Sequence, residues 1–171
     1  EAQLRTLART DGLTGVLNHR AWHEQAAAAL AHARRHGQPL TVMLVDLDHF
    51  KKINDRHGHA AGDSLLQMAA RRLEGCVRST DTVARFGGDE FGIVLANLHG
   101  SQDCETVALK VLDVLAKPFD LDGSIVRISA SVGAALFPLH AEDGQDLLKR
   151  ADQAMYSAKH ADKNRFHSEG G

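Results

Sequence analysis

Arg85-Phe86-Gly87-Gly88-Asp89-Glu90-Phe91 is the stretch whose reading decides the fold. Strand-like runs flank it, Thr82-Val83-Ala84 before and Phe91-Gly92-Ile93-Val94-Leu95 after. Two such runs joined by a Gly-Gly pair predict a tight β-hairpin, because glycine takes positive φ without a Cβ clash. The same pair lets backbone come close to a ligand. Asp89 and Glu90 follow at once. Side chains alternate along a strand, so the two acids are expected on opposite faces, with only one of them easily placed to join a shared site. Taken alone, a Gly-Gly-acid-acid string reads equally well as a surface hairpin with solvated acids. A second acidic strand end, about forty residues upstream, shifts the balance.

That second strand is Leu40-Thr41-Val42-Met43-Leu44-Val45, introduced by Pro39 and ending in Asp46-Leu47-Asp48. A near-continuous apolar run fits a central strand buried on both faces. Acids at the end of such a strand are poor structural choices unless something cationic sits there. If this strand lies beside the hairpin, the Asp46 and Asp89 carboxylates converge. Converging carboxylates bind hard cations such as Mg²⁺, usually together with substrate phosphates. Lys51 lies just downstream near a short helix N-terminus, whose free amides favour phosphate. Lys159 and Lys163 on the last helix can add phosphate contacts, whereas Lys52 reads as an ordinary surface charge. Metal, lysines and acids together compose a nucleoside-triphosphate site.

The rest of the chain supplies the frame. Its 171 residues suit one domain with a real core, and a formal net charge of −2 argues against a nucleic-acid polymer as partner. Cys76 and Cys104 are the two cysteines, so neither a disulfide framework nor a cysteine metal site is expected, and a reducing, cytoplasmic setting follows. No apolar run approaches membrane-spanning length, although a full-length protein could still be membrane-anchored. Residues 1–10 read as the end of a helix entering from an upstream domain, and 168–171 as a tail.

Asn18 is the expected N-cap of a helix over 20–36 that Gly37 ends, with Trp22, Ala26, Ala29, Leu30 and Ala33 inward. His32 and His36 on it read as a solvated pair. A short helical segment over 49–59 precedes a helix over 63–77, started by Asp63 and Ser64. Further helices are expected over 102–116 and 143–161. Between them, an Asp122-Gly123 turn leads into one long strand over 125–136. A short strand over 164–167 closes the domain. The predicted fold is an α+β sandwich, a mostly antiparallel sheet flanked by helices.

Several separated strings, in order, resemble the GGDEF family of diguanylate cyclases. They are Asp11-Gly12-Leu13-Thr14-Gly15-Val16-Leu17-Asn18, the run from Asp46 to Asp55, Gly58-His59, Gly62-Asp63, Arg85 to Phe91, and Leu147-Leu148-Lys149-Arg150-Ala151-Asp152. The likeness spans roughly residues 11–166, within a catalytic domain expected over 11–167. Departures are mild: Gly12 where the family often has Pro, and Val16 where Leu is common.

The resemblance implies a fold like nucleotidyl cyclases and polymerase palms, and condensation of two GTP into cyclic di-GMP with release of pyrophosphate. Asp46, Asp89 and the Leu47 carbonyl would hold two Mg²⁺ or Mn²⁺ ions. Asp89 is the family's metal ligand and candidate base, with Glu90 the second candidate. Lys51 would stabilise charge on the phosphates; Asn54 and Asp63 would read guanine; His59, Phe50, Gly87 and Gly88 would help place the nucleotide. Lys159 and Lys163 would contact the outer phosphates, Lys163 standing where Arg is expected. One domain holds one GTP, so catalysis requires a homodimer. Arg78 and Asp81, with five residues between Asp81 and Gly87, match the family's RxxD site for inhibition by cyclic di-GMP. An upstream sensor domain is implied, and a downstream phosphodiesterase domain is compatible. Two rival readings are a silent GGDEF module that binds GTP or cyclic di-GMP, and a cyclase making cAMP or cGMP. The intact acid motif argues against the first; Gly87 to Phe91 with Arg78 and Asp81 argues against the second.

Overall fold

The apolar run predicted as a central strand lies at the centre of the sheet. In chain order the computed structural model contains β1 (Leu17–Asn18), α1 (His19–His36), β2 (Leu40–Leu47), α2 (Phe50–His57), α3 (His59–Glu74), β3 (Thr82–Gly87), β4 (Glu90–Ala96), α4 (Ser101–Ala116), β5 (Phe119–Leu121), β6 (Ser124–Val126), β7 (Ala130–Phe137), α5 (Gly144–Ala161) and β8 (Phe166–Ser168). The structure describes residues 9–98, 100–161 and 166–168. Of the expected helix end over 1–10 only Arg9 and Thr10 are described, and they are not helical: the Arg9 carbonyl accepts from the Asn18 N–H at 2.9 Å and Thr10 bridges Leu17. Of the expected tail, Ser168 ends β8 and the rest lies outside the described residues.

The six-stranded sheet runs β1-β3-β4-β2-β7-β8. The three inner pairings, β3–β4, β4–β2 and β2–β7, are antiparallel; the two edge pairings, β1–β3 and β7–β8, are parallel. β2 is buried on both faces because each face meets its own helices. Val42 and Leu44 pack with Trp22 and Leu30 of α1 and with Ala151 and Met155 of α5. Met43, Val45 and Leu47 pack with Leu65, Ala69 and Leu73 of α3 and with Val111 and Leu115 of α4. α5 approaches β7 so closely that a Cβ on Gly133 would lie 2.1 Å from the Met155 backbone nitrogen. A glycine is needed there because the obstacle is backbone, which cannot rotate away.

Local chemistry sets several boundaries as expected. The Asn18 side chain accepts from the Ala21 N–H at 2.9 Å, and Gly37 ends α1 in the left-handed conformation. The other boundaries differ in instructive ways. α3 begins at His59 rather than Asp63: Gly58, at φ 92°, turns the chain out of α2 and straight into the next helix, and Ala60-Ala61 continue it. Asp63 is therefore an exposed residue one turn inside α3, not its cap.

The predicted long strand over 125–136 is broken. β6 pairs only with β5, in a separate two-stranded sheet, and β7 joins β2 from Ala130 onward. The break is set by β2, whose ladder ends at Leu47. The Asp48 N–H still donates to the Ser129 carbonyl at 2.9 Å in the same register, and residues 127–129 belong to no strand. Arg72 holds the small β5–β6 sheet in place. Its guanidinium donates to the Val114, Lys117 and Pro118 carbonyls and lies 3.6 Å over the Phe119 ring. The strand expected over 164–167 is β8; its first two expected residues lie outside the described ones.

Candidate active site

The β3–β4 turn is as short as the sequence pattern suggested but lies one residue further along the chain. Gly87 remains in the ladder, opposite Glu90, after a register shift at Arg85. The two loop residues are thus Gly88 and Asp89, with Gly87 at φ 120° and Gly88 at φ 52°. Arg85 clamps this turn: its Nε donates to the Gly88 carbonyl at 3.0 Å, and its Nη1 pairs with Asp11 at 3.2 Å. The Asp89 carbonyl accepts from the Leu47 N–H at 3.1 Å, fastening the turn to the end of β2.

Asp46 stands directly opposite Glu90 across the β2–β4 ladder. The strand-alternation argument that separated Asp89 from Glu90 does not apply, because Asp89 sits in the turn rather than on the strand. Both acids act on Asp46. Burial pushes the Asp46 carboxyl above its ordinary range; nearby Asp89 adds to the rise and Lys159 opposes it. Glu90 is pushed up to about 7, first by burial and then by the charges of Asp46, Asp152 and Asp89. Lys159 of α5 donates to Asp46 Oδ2 at 2.5 Å. Asp46 Oδ1 is buried with no hydrogen-bond partner among the described residues. One ammonium thus faces several acids, and one carboxylate oxygen has no donor.

Asp48, next but one to Asp46, has a different role. It is fully buried, and its oxygens accept from the Ser129 hydroxyl at 2.6 Å and the Ser131 hydroxyl at 2.8 Å. Two hydroxyl donors thus help to hold Asp48 at this strand end.

The α2–α3 pair forms the neighbouring wall. Lys51 is exposed in the first turn of α2 and makes no ion pair among the described residues. Phe50 and Asn54, one turn apart, pack toward Gly62 of α3. A Cβ on Gly62 would lie 1.7 Å from Asn54 Oδ1 and 3.3 Å from Phe50 Cζ. Asn54 Oδ1 is buried without a partner among the described residues. His59 and Asp63 are exposed one turn apart on α3. Lys163 lies outside the described residues.

Arg78 and Asp81 are not part of this cluster. Asp81 accepts from the Arg78 N–H at 2.9 Å and from the Ala96 N–H at 3.1 Å, so it caps the far end of β4. The length of β4 puts roughly 20 Å between this loop and Glu90. The Arg78 side chain reaches the Ala96 carbonyl and the Asp81 carboxylate but remains 58% exposed, so its guanidinium is accessible. The loop forms one wall of a cavity of about 550 Å³ whose other side includes Gly15, Leu17 and Gln25.

Asp152, Gly62 and the Arg85–Asp11 pair had no assigned role in the sequence reading. Asp152 precedes Lys159 by seven residues on α5, a spacing that puts both on one helical face. That spacing was the available signal.

A cation fits this pocket on the evidence of its own atoms: the orphaned Asp46 oxygen and the raised Asp46 and Glu90 both mark uncompensated negative charge. The Asp46 and Asp89 side chains lie close enough for Asp89 to act on Asp46. Among the described residues no group of three or more His, Cys, Asp or Glu side chains is already arranged around a metal position. Any ion would therefore complete its shell with backbone, water or substrate oxygens.

A mixed sheet carrying an acidic hairpin turn beside its central strand defines the class, and the chain belongs to the GGDEF family. Residues 8–165 match the family described as "Diguanylate cyclase, GGDEF domain". Among curated relatives, the diguanylate cyclase TpbB of Pseudomonas aeruginosa is 43% identical over 92% of this chain and 37% of its own length. The cyclic di-GMP phosphodiesterase NbdA of the same organism is 40% identical over 95% of this chain and 21% of its own length. The chain thus spans well under half of these relatives. Among solved structures, the isolated GGDEF domain of TpbB superposes with a TM-score of 0.91 at 40% identity, covering 94% of each chain. No helix among the described residues is long and apolar enough to cross a membrane.

Proposed function

We propose that this domain condenses two GTP molecules into cyclic di-GMP, releasing two pyrophosphates. The observation that carries the reading is the uncompensated acid cluster where the hairpin turn meets the end of β2, with its partnerless Asp46 oxygen. Asp46, Asp89 and the Leu47 carbonyl would hold two Mg²⁺ or Mn²⁺ ions. When bound, such ions polarise the α-phosphate and lower the pKa of the attacking ribose 3′-hydroxyl. In each of the two steps a 3′-oxygen bonds to an α-phosphorus, the α–β phosphoanhydride breaks, and pyrophosphate leaves. The hydroxyl proton passes to a carboxylate of the Asp89/Glu90 pair.

The chain's other residues bind and orient. Lys51 offers an unpaired ammonium beside the acid cluster, suited to phosphate oxygens. Lys159, now on Asp46, is the cation for which the outer phosphates compete, and Lys163 would assist. Asn54 presents its unpartnered amide oxygen on the wall that also carries His59 and Asp63, a set able to read the donor edge of guanine. Gly87 and Gly88 lack side chains over the turn, leaving room for the nucleotide beside Phe50. Two domains must meet face to face, because one site holds one GTP. Cyclic di-GMP would feed back on Arg78 and Asp81, whose exposed guanidinium can grip phosphate or guanine. The relatives are longer than this chain, and a full-length protein would have room for a sensor upstream and a phosphodiesterase domain downstream.

The test is incubation of concentrated protein with GTP and Mg²⁺, with the product identified by mass. Cyclic di-GMP should form, and Asp89→Ala should abolish it. GTP binding without product, even when two domains are joined through an N-terminal coiled coil, would instead favour a silent binding module.

A further inference from the structure

α2 presents two different faces. Phe50 and Asn54 look toward Gly62 and the proposed GTP site. Lys52 and Arg56, also one turn apart, line a cleft of about 650 Å³ on the other side, between α2 and the chain running from β6 to β7. Arg127 lines the same cleft from the β6 side. None of these three cations has an ion pair or hydrogen bond among the described residues. Among the described residues the one acid lining the cleft is Asp48, whose oxygens accept from the Ser129 and Ser131 hydroxyls. Three uncompensated positive charges around a concavity focus a field that attracts anions.

The cleft is also apolar where the charges are not. Ile53 and Ile128 line it half-buried, and Ile125 stands 63% exposed beside them. A large aliphatic side chain left this open, next to unpaired cations, suits a ligand with one anionic end and one flat apolar end. The volume falls within the range of small-molecule sites and is small for a protein segment, which needs a longer surface.

The geometry points to a second ligand site here, for a phosphate-bearing nucleotide, separate from the acidic pocket and needing no metal. Lys52, Arg56 and Arg127 hold the phosphates, the arginines through paired N–H donors. The isoleucines carry the base. Sequence reading gave Lys52 no role beyond surface charge; the cleft only becomes visible once β6 leaves the main sheet and brings Arg127 opposite α2.

The experiment is amide chemical-shift mapping of the ¹⁵N-labelled domain in EDTA, titrated with adenosine diphosphate and, separately, with inorganic pyrophosphate. Adenosine diphosphate should shift Lys52, Arg56 and residues 125–129. Pyrophosphate, lacking a base, should shift the same amides but bind several-fold more weakly. Both arginines are exposed, so Arg56→Glu/Arg127→Glu should keep the native spectrum while weakening binding by roughly tenfold or more. Lys51→Ala, on the other site, should leave this affinity unchanged. Shifts confined to Asn54, His59 and Asp63, or cleft shifts of unchanged affinity in the double variant, would overturn the assignment. So would an acidic Glu-Leu peptide that shifts these amides when adenosine diphosphate does not.

Discussion

Glu90→Gln replaces an ionisable carboxyl with a neutral amide of nearly the same shape, in the most acidic corner of the domain. Glu90 is half-buried opposite Asp46, and burial together with the charges of Asp46, Asp152 and Asp89 raises its carboxyl from the ordinary 4.5 to about 7. A carboxyl raised in this way favours its protonated form in the folded state. Its contribution to stability is therefore fully present below pH 4.5 and is lost as pH rises through about 7. That interval corresponds to about 3 kcal/mol at full strength. Because Glu90 is partly solvated, screening lowers the expected effect to about 1–2 kcal/mol. Urea unfolding of wild type and Glu90→Gln in EDTA, compared near pH 5 and near pH 8, measures it. At the higher pH the variant should be the more stable by about 1–2 kcal/mol, because its amide cannot ionise beside Asp46, and the gap should close at the lower pH. Added Mg²⁺ should stabilise wild type more than the variant at the higher pH. Identical pH dependence in the two proteins, or a variant less stable at the higher pH, would refute the claim that repulsion among these acids is unrelieved without a cation.

Gly62→Ala would place a Cβ 1.7 Å from Asn54 Oδ1, a side-chain atom that can swing aside. Stability should fall by less than about 1 kcal/mol while KM for GTP rises by roughly tenfold, as steady-state kinetics beside an unfolding curve would show. Arg78→Ala should leave the maximal rate intact and relieve inhibition by cyclic di-GMP, measured as the product concentration that halves the rate. The mostly exposed Arg78 is the cleaner probe, because Asp81 is nearly buried and caps β4, so Asp81→Ala should also cost about 1–3 kcal/mol of stability.

Features set by local chemistry were legible in the sequence. The Asn18 cap, the Gly37 stop, the buried β2 run and the inward stripe of α1 each depend on a residue and its near neighbours. The break between β6 and β7 was not legible, because it depends on where the distant strand β2 stops, with Leu47 opposite Ala130, and on β6 pairing with β5 instead. Apolar alternation over 125–136 continues through the break and so conceals it. The site divides the same way. Asp46, Asp89 and Lys159 stood out because acids and lysines at element ends are chemically conspicuous. The separation of Asp89 from Glu90 was misjudged because a one-residue register shift at Arg85 moved Asp89 off the strand and into the turn. Asp48 looked like Asp46 in sequence, and the hydroxyls of Ser129 and Ser131, distant along the chain, set the two acids apart.

The central claim is that the pocket formed by Asp46, the Leu47 carbonyl and Asp89 is a cation site serving a nucleotide. Its most direct test is Mn²⁺ titration of the domain by electron paramagnetic resonance, with and without a GTP analogue that cannot release pyrophosphate. The account predicts Mn²⁺ binding that tightens with the analogue to two ions per domain and is lost in both Asp46→Asn and Asp89→Asn. Binding of full affinity in both variants, or none in wild type with the analogue bound, would contradict it.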